Sequence, residues 1–188
     1  MDAYVYLRVA AGRVEDVVIA LRGQHGIRRA TAVVGDWDVM VAVEAADFQS
    51  VATTVLRRIQ SIDGVTRTYT APVVPLDMLG VRGAGWAIPT LPMHGPERAC
   101  YVHVRVDAGT VTGVVESLAA IEQVSGVAVV AGIYDVLAEI PLAWEQAAPI
   151  VLEQIHTVPG VRDTTTLIAV TDLEAAGTDS DAFPSTWA

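Results

Sequence analysis

Residues 4–21 read YVYLRVAAGRVEDVVIAL, and residues 101–118 read YVHVRVDAGTVTGVVESL. In both stretches alternating side chains are followed by apolar residues at helical spacing, which predicts a strand that leads through Ala-Gly into an amphipathic helix. The correspondence continues at an offset of 97 and, after a one-residue deletion, of 96, over about seventy residues. The chain therefore contains one folding unit twice.

The rest of the first copy predicts the remaining elements of that unit. Residues 31–34, which are β-branched except for Ala32, run into a Gly-Asp turn signal, and residues 39–43 predict the next strand. Asp47 is a candidate N-cap for a second amphipathic helix, and residues 65–74 predict the last strand. The second copy has the same order, βαββαβ, which is the ferredoxin-like unit.

The predicted fold class is α+β, with two tandem ferredoxin-like units. Helices would cover one face of each antiparallel sheet and leave the other face bare. We therefore expect the two sheets to pack face to face as an intramolecular pseudo-dimer, an architecture of the dimeric α+β barrel type.

Composition places the boundaries of these units. We predict a first repeat at 1–74, a linker at 75–99, a second repeat at 100–171 and a tail at 172–188. The linker holds four prolines and four glycines. The tail is small, polar and acidic, which predicts disorder.

Charge and residue usage exclude several classes of protein. The net charge is −10 and all twelve basic residues are arginine, so the chain has no surplus of basic residues to bind the phosphates of a nucleic acid. The second copy is the acidic one, because it has two arginines and eight acids where the first has eight of each. No apolar run has the length of a membrane span, and the chain opens directly into a strand pattern, so we expect no membrane segment and no signal peptide. These features predict a cytoplasmic protein.

No catalytic, cofactor or metal site is expected. The single cysteine, Cys100, cannot form an internal disulfide, and the four histidines are scattered rather than paired at metal-binding spacing. The sequence has no P-loop, no nucleophile elbow and no dinucleotide fingerprint.

Two short motifs carry a resemblance to a known family. Gly35-Asp36-Trp37-Asp38 and Gly132-Ile133-Tyr134-Asp135 lie at the central hairpin of each copy, and residues 62–68 and 158–164 lead into each last strand. With these motifs, both copies resemble the effector-binding domain of the Lrp/AsnC family, over about three quarters of the chain. Members usually carry an N-terminal helix-turn-helix. Here the first copy starts at residue 3 and the linker is too rich in proline and glycine to form one, so direct DNA binding is not expected.

The resemblance implies a domain that binds an amino acid or a similar small metabolite and that assembles with copies of itself or with a related regulator. In the family, dimers pair through their sheets and associate into rings, with the ligand near the contact between dimers. The predicted ligand-binding residues are Gly35, Trp37, Asp38, Thr68, Gly132, Tyr134, Asp135 and Thr164.

Each of these residues has a structural interpretation beside the ligand-binding one. The glycines allow a positive φ in a tight hairpin, and the aspartates cap turn amides or pair with an α-ammonium group. The two aromatic residues line a pocket or pack in an interface, and threonines are ordinary in strands. Arg8 and Arg105, which recur in the first strand of each copy, are interpreted as partners in structural ion pairs.

Three functions compete. The leading one is a stand-alone ligand-sensing and oligomerisation module that modulates a DNA-binding transcription regulator of the same family. The alternatives are a small, monooxygenase-like enzyme on the same barrel architecture and an interaction protein whose ligand sites have degenerated.

Overall fold

The computed structural model describes residues 1–75, 78 and 98–170. Most of the predicted linker and all residues after the last strand, including the whole predicted tail, lie outside the described residues. Within the part that the structure describes, no helix is long and apolar enough to cross a membrane.

Both copies have the predicted order of elements. The elements of the first copy are β1 (Asp2–Val9), α1 (Val14–Leu21), β2 (Ile27–Val34), β3 (Val39–Glu44), α2 (Phe48–Thr54) and β4 (Val65–Val74). The elements of the second copy are β5 (Cys100–Val106), α3 (Val111–Ala119), β6 (Gly126–Val130), β7 (Val136–Ile140), α4 (Trp144–Ile150) and β8 (Val161–Val170). Helices α2 and α4 continue into single π-helical segments, Val55–Ile59 and Val151–Ile155.

The eight strands form one closed barrel in the order β1-β3-β2-β8-β5-β7-β6-β4. This confirms the α+β pseudo-dimer and adds that the two sheets are hydrogen-bonded at their edges. Three residue pairs join β2 to β8, among them Val33 and Ala169, and two pairs join β4 to β6. The barrel is therefore closed by two short seams, and most of β4 and β8 lies outside them.

Strand direction decides which residues meet at each end of the barrel. Every neighbouring pair of strands is antiparallel, and four such steps separate β1 from β5, so these two strands point the same way. The C-terminal ends of β1 and β5 therefore lie at the same mouth of the barrel.

Buried side chains form three clusters. One cluster lies between the first sheet and its helices, and one lies between the second sheet and its helices. The third cluster fills the barrel. Successive side chains of β1 point to opposite faces of the sheet, so Val5 and Leu7 face the helices whereas Tyr4 and Tyr6 face the barrel interior. The interior is thus shared by the two copies.

Candidate functional site

The two motif hairpins reach across from one copy to the other. Gly132 has φ +156°, and a Cβ there would overlap the hydroxyl of Tyr69. That hydroxyl accepts a hydrogen bond from the Ile133 N–H at 2.6 Å. Gly35 has φ +144°, and a Cβ there would lie 2.6 Å from Leu167 Cδ2. Both glycines therefore serve the close approach of the copies.

The two motif aspartates hold the ends of β1 and β5. Asp38 Oδ2 accepts a hydrogen bond from the Val9 N–H at 2.8 Å, and Asp135 Oδ2 accepts one from the Val106 N–H at 2.9 Å. Each strand has a register shift at that residue, so its N–H lies outside the regular ladder. One oxygen of each carboxylate is thus committed to the backbone.

The aromatic residues of the motifs lie inside the barrel mouth. Trp37 and Tyr134 are 6% and 8% exposed. The Trp37 ring lies 5.9 Å from the Tyr6 ring and 6.0 Å from the Tyr69 ring, and Tyr134 lies 4.6 Å from the ring of His103. Each of these ring contacts lies within one copy, and both residues belong to the cluster that fills the barrel.

The predicted threonines lie elsewhere. Thr68 precedes Tyr69 on β4, so its side chain faces the helices rather than the barrel interior. Its hydroxyl accepts from Gln60 Nε2 at 2.8 Å, and the Thr164 hydroxyl is hydrogen-bonded to His156 Nε2 at 2.7 Å. The structure therefore places the hairpin residues of both copies at one mouth of the barrel and the threonines behind the sheets.

Sequence reasoning missed a polar pair at the centre of the barrel. The Tyr6 hydroxyl and His103 Nε2 are 2.8 Å apart and fully buried, while His103 Nδ1 has no hydrogen-bond partner among the described residues. Burial lowers the pKa of His103 to about 4, so the imidazole is neutral near pH 7. The signal in the sequence is that Tyr6 aligns with His103 at the repeat offset of 97, a change of chemistry inside a matched strand.

A separate cleft opens on the outer side of the first copy. Its volume is about 510 Å³, and it is lined by His25, Gly26, Glu44, Ala45, Ala46, Asp47, Gln49, Ser50, Thr53, Thr54 and Arg58. The charged groups there already have partners, since Glu44 pairs with Arg28 at 2.6 Å and Arg58 donates to the His25 carbonyl at 2.6 Å. None of the predicted ligand-binding residues lines this cleft.

The remaining titratable groups that the structure describes do not form a metal-binding cluster. Burial raises the pKa of the Cys100 thiol to about 11, which keeps it protonated and unreactive near pH 7. Among the described residues, no group of three His, Cys, Asp or Glu side chains is arranged to hold a metal ion.

Comparison with solved structures gives matches of two kinds. A protein from Thermus thermophilus is 28% identical over 37% of this chain and 86% of its own, with a TM-score of 0.36. AsnC from E. coli is 16% identical over 37% of this chain and 47% of its own, with a TM-score of 0.35. The siroheme decarboxylase NirDL matches both copies together, with 11% identity over 90% of this chain and 71% of its own and a TM-score of 0.65. This last likeness is one of fold.

Comparison with curated proteins gave no significant match. The family model of the Lrp/AsnC ligand binding domain matches the chain in two segments, residues 2–75 and 99–175. These segments contain both motif hairpins and every strand of the barrel. The chain therefore belongs to the Lrp/AsnC ligand binding domain family and carries that domain twice.

Proposed function

We propose that the chain binds an amino acid or a related small metabolite and, in doing so, modulates a DNA-binding transcription regulator of the same family. The observation that carries this proposal is the pair of complete Lrp/AsnC ligand binding domains in one chain. Membership of the family supports a ligand-sensing module. The experiments below test whether the ligand is an amino acid and whether the chain acts on a regulator.

The geometry supports a ligand site at the motif hairpins. Gly35, Trp37 and Asp38 of the first copy lie at the same barrel mouth as Gly132, Tyr134 and Asp135 of the second, because β1 and β5 are parallel. Asp135 keeps one oxygen that the Val106 N–H does not use, and that oxygen is available to the ammonium group of a zwitterionic ligand. The second oxygen of Asp38 already lies 3.5 Å from Arg8 Nη1, so an ammonium group there would share it with the guanidinium.

A thermal-shift screen of the full chain against each of the twenty amino acids tests ligand binding. A ligand that binds the native state raises the unfolding midpoint by mass action. We expect a concentration-dependent rise with at least one amino acid at millimolar concentration. Flat curves with all twenty would contradict amino-acid binding.

Separate variants at Asp38 and Asp135 identify the copy that binds. Asp38→Asn and Asp135→Asn each keep an oxygen that accepts the Val9 or Val106 N–H but remove the negative charge. Loss of the shift in one variant alone assigns the ligand to that copy. An unchanged shift in both variants would remove the aspartates from the ligand site.

Modulation of a regulator requires a physical complex. Native mass spectrometry of the chain mixed with a DNA-binding Lrp/AsnC regulator is expected to show mixed assemblies. If the two proteins form only separate assemblies, with and without the amino acid found in the screen, modulation by mixed assembly is wrong.

One observation favours an enzyme as the second candidate. The buried His103, hydrogen-bonded to Tyr6 and with an unpartnered Nδ1 among the described residues, is a polar group inside an apolar interior, as at many reaction centres. Against it, large side chains fill the centre, and Tyr6, Tyr101, Met40, Leu137 and Leu167 are all less than 2% exposed. A visible absorption spectrum of the purified protein discriminates, because a bound haem or flavin absorbs there and a sensing module does not.

A further inference from the structure

The two copies differ in charge at the shared mouth of the barrel. The register of β1 and β4 places Arg8 directly opposite Arg67. The register of β5 and β8 places Arg105, the equivalent of Arg8, opposite Asp163, the equivalent of Arg67. An arginine pair in the first copy thus corresponds to an arginine–aspartate pair in the second.

In the second copy the charges of Arg105 and Asp163 neutralise each other. Arg105 Nε lies 2.8 Å from Asp163 Oδ1. In the first copy two like charges face each other across neighbouring strands, an arrangement that destabilises a sheet unless a counter-charge is present. The arginine pair therefore needs an anion that the paired strands themselves do not supply.

The described residues meet this need only in part. Arg8 Nη1 lies 3.5 Å from Asp38 Oδ1, and the other oxygen of that carboxylate accepts the Val9 N–H. Arg67 makes no ion pair or hydrogen bond to any residue that the structure describes, and its recorded contact is with the ring of Trp37. Among the described residues, Asp38 thus pairs with Arg8, and Arg67 has no acidic partner.

The Trp37 ring contacts both arginines. The guanidinium carbons of Arg8 and Arg67 both lie 5.8 Å from the centroid of the Trp37 ring. The ring itself is buried and stacks on Tyr69, whereas the Arg8 side chain is 43% exposed and Arg67 is also exposed. Guanidinium groups held in this way present parallel N–H donors that match the two oxygens of a carboxylate or phosphate.

We propose that Arg8 and Arg67, with Trp37 as their support, form a binding site for the carboxylate or phosphate group of a small molecule. There is one such site in each chain, because Asp163 occupies the equivalent place in the second copy. The inference rests on the proposed function only in that the sensed molecule supplies the anionic group.

Thermal shift with inorganic phosphate and with succinate tests the site, against sodium chloride at matched ionic strength. Chloride controls for general screening of surface charge. We expect a saturable rise of roughly 3–6 °C at ten times the dissociation constant. A response to phosphate alone or to succinate alone identifies which of the two anions the site takes.

Arg67→Asp copies the arrangement of the second copy and is expected to abolish the rise. The unfolding midpoint of Arg67→Asp without added anion should equal or exceed that of the wild type, which would show that the variant folds. If Arg67→Asp does not fold, Arg67→Gln replaces it in the same test. Arg57→Asp makes the same charge change at an exposed position on the helical side and should respond like the wild type. Calorimetric titration should give one anion per chain.

Two results would overturn the site. One is an equal midpoint in phosphate, succinate and chloride; the other is an equal response of Arg67→Asp and the wild type. The amino-acid screen run on both proteins separates this failure from that of the proposed function. An amino acid that stabilises both proteins equally supports sensing without this site, whereas phosphate or succinate binding without any amino-acid response supports the site alone.

Discussion

Gly132 lies at a close approach between the two copies. Its φ of +156° and the Tyr69 hydroxyl in the space of its missing side chain both exclude a larger residue. Gly132→Ala is therefore expected to lower the free energy of unfolding by about 2–4 kcal/mol, measured by chemical denaturation.

The double variant tests the cause of that loss. Tyr69→Phe removes the oxygen that a Cβ at 132 would meet, so Gly132→Ala should cost less in the Tyr69→Phe background than in the wild type. Gly12→Ala is the control, since a Cβ there meets nothing within 4 Å although φ is also positive. Strictly additive effects of the two changes would contradict the contact between the copies.

His103 predicts a pH dependence of stability. Burial lowers its pKa from 6.5 to about 4 in the folded state. Between these two pH values the imidazole is therefore protonated in the unfolded chain and neutral in the folded chain. Stability should therefore fall as the pH falls from about 6.5 to about 4, by on the order of 3 kcal/mol from this residue alone. Denaturation curves across that range measure it.

His103→Gln isolates the contribution of the imidazole. Glutamine can hydrogen-bond the Tyr6 hydroxyl but does not titrate. The variant should lose less stability on acidification than the wild type, because the carboxylates common to both proteins cancel in the difference. Parallel curves would show that the imidazole of His103 is not buried as described.

Repeat alignment could predict these residues but not their contacts. Tyr6 aligns with His103, and Arg67 with Asp163, in the printed sequence. That Tyr6 and His103 meet depends on two sheets that face each other, and no local pattern specifies which side chains oppose across a barrel. The Tyr69–Gly132 contact was missed for the same reason.

At the scale of elements, the motif aspartates tie the central hairpin to the end of the first strand. Asp38→Ala leaves the partly buried Val9 N–H without its acceptor, and Asp135→Ala does the same to Val106. Each alanine variant should lose about 1–3 kcal/mol of stability. The matching asparagine variants should lose less, and equal losses for alanine and asparagine would contradict this role.

Sequence patterns predicted the helices and strands but missed the start of β2 and the π-helical segments. The N-cap of α2 is confirmed, because the Asp47 carboxylate accepts the Ser50 N–H at 2.8 Å. Strand β2 begins four residues before the predicted 31–34, at Ile27, since Arg28 and Arg29 hide its alternation. The π-helical segments after α2 and α4 have no sequence signature, although they recur at equivalent positions.

At the scale of the molecule, the pseudo-dimer was predictable because each repeat leaves one sheet face bare. The closure of the barrel was not, since β2–β8 and β4–β6 join strands from different copies through only three and two residue pairs. The resulting interior belongs to both copies, with Tyr4 and Tyr6 from one beside Tyr101 and Leu137 from the other.

This shared interior predicts that the two copies unfold together. Neither copy can expose its half of the central cluster without disrupting the other half, so calorimetry should show one transition with equal calorimetric and van't Hoff enthalpies. Two resolved transitions, one for each copy, would mean that the barrel does not couple them.

We propose that the chain senses a ligand and that binding is expressed as a change in its assembly. Sedimentation velocity of the full chain, alone and with each amino acid at about 10 mM, measures this directly. We predict that at least one amino acid shifts the distribution between assembly states, and that the same amino acid raises the unfolding midpoint. Sedimentation profiles that stay the same with all twenty amino acids would contradict the account.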